Sequence, residues 1–176
     1  VLDKPYVRIV GKPNIGAPEH RGKKPILTGN TILVFQGNVN EELVGNSLQN
    51  FEVRSPILCL SSSPFIADNV FRDYQNPDKI PILSASDLSD YEPGWPIARP
   101  VIKNNLFVNN NVGIGCFVGS KAKVMDCTFA NNTLYGIQFH EMEPGTLVTN
   151  CIFYENGLDE DNGRNGFISG SYPPNP

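Results

Sequence analysis

The sequence predicts an all-β solenoid, a coil of short parallel strands closed by turns. Three observations carry that expectation. One unit recurs, its leading residues separated by 18, 36, 22 and 24 positions. Almost no segment shows helical periodicity. Gly and Pro together supply 31 of 176 residues, so the chain is rich in turns. Spacings of about 20–50 residues mark solenoids and propellers, and a repeat made only of strands and turns builds a coil.

The clearest unit is CTFANNTLYGIQF, Cys127 to Phe139. Its Asn pair and the Gly that follows are residues that tolerate left-handed backbone, so they read as turn chemistry. CTF and GIQF on either side read as strands. Extended backwards, the unit is VMDCTFANNTLYGIQF, from Val124. IKNNLFVNNNVGIGCF, Ile102 to Phe117, precedes it; VTNCIFYENG, Val148 to Gly157, and NGFIS, Asn165 to Ser169, follow it. Earlier copies are IADNVFRDYQ, from Ile66, and the degenerate LQNFEV, from Leu48. The shared pattern is an aliphatic, two residues, a polar or Cys position, one residue, then Phe. Asn comes three residues after that Phe, and Gly-aliphatic follows. The leading aliphatics are Leu48, Ile66, Ile102, Val124 and Val148.

Each coil then holds three strands: one at the leading aliphatic, one at the Phe and one at the Gly-Ile pair. Alternation along a strand puts Ile114 and Cys116 inside, with Gly115 and Phe117 outside. One coil on, Ile137 and Phe139 face in while Gln138 and His140 face out. Phe71, Phe107, Phe129 and Phe153 are expected to stack as an internal column. Asn69 and Asn105 turn inward at a corner, and Cys127 and Cys151 continue their column. Asn110, Asn132 and Asn156 form a second ladder. Inward Asn side chains pair backbone groups that a buried corner would leave orphaned. The four cysteines have no CxxC and no His at ligand spacing, which argues against zinc. Cys127 and Cys151 are expected to be free and packed as small hydrophobes, although stacked strands also bring them within reach of a disulfide.

These aliphatic-x-x-Asn/Cys-x-Phe and Gly-Ile units resemble the right-handed parallel β-helix of the pectate-lyase-like superfamily. The resemblance covers residues 44–169 well and residues 5–43 loosely. It implies a single β-helix domain, 1–176, of about six coils. Residues 1–43 form irregular N-terminal coils, 44–169 form regular coils with an insertion at 72–100, and 170–176 are a linker-like tail. The abrupt start at Val1, with no visible signal peptide, and the SYPPNP ending read as a segment of a larger protein. The superfamily spans polysaccharide lyases, glycoside hydrolases and non-enzymatic adhesins and tailspikes, so it implies two functions. One is a polysaccharide-binding or polysaccharide-processing module. The other is a structural or adhesive rod, such as a surface-layer, sheath or tail-fibre segment, assembling end to end. Both place the protein outside the cell or on its surface.

In enzymes of this superfamily the substrate cleft lies on the sheet of the Gly-Ile pairs. Here that face offers Phe117, Gln138 and His140, with Glu141 next. His140 and Glu141 are the acid–base candidates. Neither a lyase's calcium cage and basic residue nor a hydrolase's close carboxylates occur on adjacent coils. In the 72–100 insertion, Tyr74, Tyr91 and Trp95 offer flat apolar faces near Asp73, Asp78, Asp87, Asp90 and Glu92, a combination suited to sugar rings. In the DEDNG run, Asp159 and Asp161 are candidate calcium ligands, although Arg164 stands where an EF-hand needs Gly. GAPEHRGKK fails as a phosphate loop: five residues separate Gly16 from Gly22, and Lys24 stands where Ser or Thr would hold magnesium.

A net charge of −4 argues against general nucleic-acid affinity. No apolar run is long enough to span a bilayer. The charge is uneven, with Lys4, Arg8, Lys12, Arg21, Lys23 and Lys24 near one end and Glu141, Glu143, Glu155, Asp159, Glu160 and Asp161 near the other. In a solenoid, sequence order is spatial order, so flanking domains or like protomers at the coil ends are the expected protein partners.

Overall fold

The computed structural model describes residues 8–10, 24–28, 33–36, 43–74, 80–85, 97–139 and 145–157. The described residues form strands and turns, and no helix among them is long and apolar enough to cross a membrane. The first coil holds β1 (Arg8–Val10), β2 (Ile26–Thr28) and β3 (Leu33–Gln36); the second holds β4 (Leu43–Gln49), β5 (Glu52–Arg54) and β6 (Ile57–Leu60). The third holds β7 (Ser62–Ala67), β8 (Val70–Arg72) and β9 (Ile82–Ala85); the fourth holds β10 (Val101–Lys103), β11 (Leu106–Val108) and β12 (Val112–Cys116). The fifth holds β13 (Lys123–Met125), β14 (Thr128–Ala130) and β15 (Tyr135–Phe139), and the sixth β16 (Leu147–Thr149) and β17 (Ile152–Tyr154).

Equivalent strands of successive coils pair in parallel. The result is a first sheet β1-β4-β7-β10-β13-β16, a second β2-β5-β8-β11-β14-β17 and a third β3-β6-β9-β12-β15. This is the all-β solenoid of about six coils that the repeat predicts. The leading aliphatics pair in order, Leu48 to Ile66 to Ile102 to Val124 to Val148. The first four are fully buried. The 36-residue step is one coil with its strands in the usual places, because β9 lies between β6 and β12 with Ile82 in register with both Ile57 and Ile114. The degenerate unit is also in register: Val53 pairs with Phe71 and takes the aromatic position.

The phenyl rings of Phe71, Phe107, Phe129 and Phe153 stack with centroids 4.8 Å apart and planes 6° apart at each step. Strand pairing sets that spacing. The column explains the Gly of the Gly-Ile pairs. A Cβ on Gly136 would lie 2.8 Å from the Phe153 ring, and one on Gly113 would lie 2.4 Å from the Gly136 carbonyl oxygen and 2.8 Å from the Phe129 ring.

Both corners flanking the second sheet are built from residues with left-handed backbone. Asn50, Asp68, Asn104, Asp126 and Asn150 have φ of 51–66° at the first corner, and Asp73, Asn109, Asn131 and Glu155 have φ of 48–63° at the second. Asn and Asp tolerate this region best among residues with a Cβ. At the first corner the side chains also pair along the axis, Asn104 donating to Asp68 (2.7 Å) and Asn150 to Asp126 (2.5 Å).

The next residue at each corner turns inward and forms a ladder. The Asn69 backbone N–H and amide donate to Asn105 Oδ1 at 2.9 and 3.1 Å, and the Asn105 amide donates to the carbonyls of Ile66 (2.9 Å) and Lys103 (3.0 Å). In the second ladder Asn110 donates to Asn132 Oδ1, and Asn132 to Asn156 Oδ1, each through backbone and side chain. Each ladder is preceded by an aromatic that contributes only a backbone donor: Phe51 N–H to Asn69 (2.9 Å) and Tyr74 N–H to Asn110 (3.1 Å). Cys127 and Cys151 extend the first ladder as free thiols, Cys127 buried and Cys151 half-buried.

Candidate functional site

The outer face of the third sheet begins as a column of paired residues: Val34, Leu58, Leu83, Gly115 and Gln138. Their inward neighbours Ile57, Ile82, Ile114 and Ile137 are fully buried, so pleat alternation leaves this column on the outside. Val34, Leu58, Leu83 and Gln138 are half-buried, and Gly115 is buried although its position faces out. The reason is Phe117. A Cβ on Gly115 would lie 2.4 Å from the Phe117 ring and 2.8 Å from Ile80 Cδ1. The ring therefore lies against the bare backbone of Gly115, beside Ile80.

Phe117 is held in that pose by its main chain. Its N–H donates to the Ser84 carbonyl at 2.9 Å, and its own carbonyl accepts from Ser120 N–H at 2.9 Å across a turn where Gly119 has φ 72°. Behind the turn, the buried hydroxyls of Ser84 and Ser120 are 2.8 Å apart. The result is an aromatic surface fixed on Gly115, whose strand partner one coil on is Gln138. An aromatic face with one adjacent polar group offers packing and orientation together, the usual make-up of a small-molecule site. Among the described residues this column carries no ionisable side chain.

Of the residues expected from sequence, Phe117 and Gln138 share this face. Tyr74 does not join them. Its backbone precedes Asn110 in the second ladder, and Asn110 is seven residues upstream of Phe117, roughly 20 Å of extended chain. Burial raises the Tyr74 phenol pKa. His140, Glu141, Tyr91, Trp95, Asp159 and Asp161 lie outside the described residues. Val34, Leu58, Ile80 and Leu83 were not expected from sequence.

The Gly115–Phe117 packing gives a direct prediction. Gly115→Ala is expected to displace the ring and destabilise the fold by about 1–3 kcal/mol, the usual cost of overpacking. Phe117→Ala in the same background is expected to restore most of that loss. An unchanged urea midpoint for Gly115→Ala would show that the ring does not rest on the glycine.

Neither the curated proteins nor the solved structures contain a match to this chain. Residues 61–171, more than half of the chain, match the family described as right handed beta helix region. With that match and three stacked parallel sheets, the chain belongs to the right-handed β-helix family.

Proposed function

We propose that this β-helix is a polysaccharide-binding module and that the outer face of its third sheet holds a neutral glycan. The observation that carries the reading is the Phe117 ring, fixed against Gly115 beside Gln138. A pyranose presents an axial C–H face that packs on the negative face of an aromatic ring, while its hydroxyls suit an amide that both donates and accepts. The half-buried Val34, Leu58 and Leu83 continue the strip along the axis, so it is elongated as a polymer requires. Processing of the bound chain would fall to His140 and Glu141, and additional contact to Tyr91 and Trp95.

A glycan array tests this on the whole chain, with and without calcium. Binding to a neutral polysaccharide should weaken about tenfold in Phe117→Ala, equivalent to about 1.4 kcal/mol, with the thermal midpoint close to wild type. Trp95→Ala run in parallel reports on the 72–100 insertion. No binding from a folded, monodisperse sample would remove the reading.

A second reading, the rod assembling end to end, rests on where apolar surface is exposed. Among the described residues, five of the seven exposed large hydrophobics are on the first and last coils: Val10, Ile26, Leu147, Ile152 and Tyr154. Sedimentation over a concentration series would show axial assembly. The uneven charge along the chain predicts that salt weakens it.

A further inference from the structure

The geometry points to a two-thiolate site for a soft monovalent metal ion of the Cu(I) type between Cys127 and Cys151, at the C-terminal end of the first ladder. The two cysteines precede the paired strands β14 and β17, whose residues Thr128 and Ile152 are in register. Their sulfurs occupy equivalent poses. Cys127 Sγ faces the carbonyls of Met125 (3.2 Å) and Ile102 (3.6 Å), while Cys151 Sγ faces those of Thr149 (3.3 Å) and Val124 (3.8 Å). In each case the acceptors are the residue two before and the leading aliphatic of the preceding coil. Equivalent poses on adjacent coils put one sulfur over the other, at most about one coil step apart. That step is 4.8 Å between these same two coils, read from the Phe129 and Phe153 rings.

Distance then selects the ligand. Two metal–thiolate bonds of about 2.3 Å span about 4.6 Å in a line, which fits the coil step with little movement. A disulfide needs the sulfurs at about 2 Å and would draw both away from their carbonyls. No third His, Cys, Asp or Glu gathers with them among the described residues. The donors present are thus two soft sulfurs, without the tetrahedral set of structural zinc, and such donors select Cu(I). Cys151 is half-buried and gives an ion access. Binding exchanges two S–H protons, released to solvent, for one ion, with no change of oxidation state. Affinity should therefore rise with pH.

The other two cysteines provide an internal control. Cys59 and Cys116 share a column but are separated by Ser84, so they are two steps apart. Burial raises both, Cys116 to about 12. The test is an anaerobic titration of the whole chain with Cu(I) held as its bicinchoninate complex. Wild type and Cys59→Ser should each withdraw one ion per chain. Cys151→Ser and Cys127→Ser should withdraw none while keeping the wild-type far-ultraviolet circular dichroism. If Cys127→Ser fails to fold, the half-buried Cys151→Ser decides, together with protection of Cys151 from iodoacetamide in Cu(I)-loaded wild type. Failure of wild type to withdraw copper, or equal withdrawal by the folded cysteine variants, would overturn the assignment.

Discussion

Phe107→Ala should lower the free energy of unfolding by about 3–5 kcal/mol, the upper range for loss of a buried aromatic. Phe107 is fully buried and stacked on both sides, on Phe71 and Phe129 at 4.8 Å each. The void cannot close easily. Phe71 and Phe129 are each fixed by their own strand, and those strands are held apart by the intervening β11. Phe153→Ala is the matched comparison, because that ring is only half-buried and has one stacked neighbour among the described residues. Its loss should be less than half as large. Urea unfolding of the two variants checks this directly, and equal losses would mean that the column is not stabilised by stacking from both sides.

Asn105→Ala should cost about 3 kcal/mol. Its amide oxygen accepts from both Asn69 donors, and its amide nitrogen supplies the carbonyls of Ile66 and Lys103. Truncation leaves several of these groups buried and unpaired, each worth about 1–3 kcal/mol, and relaxation reduces their sum. One coil later the same position is Cys127, whose thiol faces the equivalent carbonyls of Met125 and Ile102. Asn105→Cys should therefore be milder, costing about 1 kcal/mol. Denaturation curves in which Ala and Cys behave alike would show that the ladder's side-chain bonds do not carry the effect.

Much of this architecture was legible in the sequence because stacked coils impose the same chemistry at the same position. The leading aliphatics, the Phe column and both ladders could be read from Leu48, Ile66, Asn69, Asn105 and their successors, and all are in the expected register. The reason for the Gly in each Gly-Ile pair was not legible. Gly113 and Gly136 are dictated by rings on a different strand, 16 and 17 residues later in the chain. The third-sheet face was only partly legible. The alternation correctly put Phe117 outside, but that its ring lies on Gly115 depends on the turn to Ser120, which alternation does not encode. Strands such as β6, ILCL, are apolar on both faces, so their outward residue Leu58 gives no periodic signal. The calcium candidates Asp159 and Asp161 came from loop composition, and loops carry no repeat to check them against.

Uniform parallel register also shapes how this protein bears load. Among the described residues each strand bonds only to its equivalents one coil above and below, so a pull along the axis loads these pairings one after another rather than all together. The fold would then unpeel like a spring losing turns. Each released turn of 22 residues, the step from Ile102 to Val124, would lengthen the chain by about 75 Å.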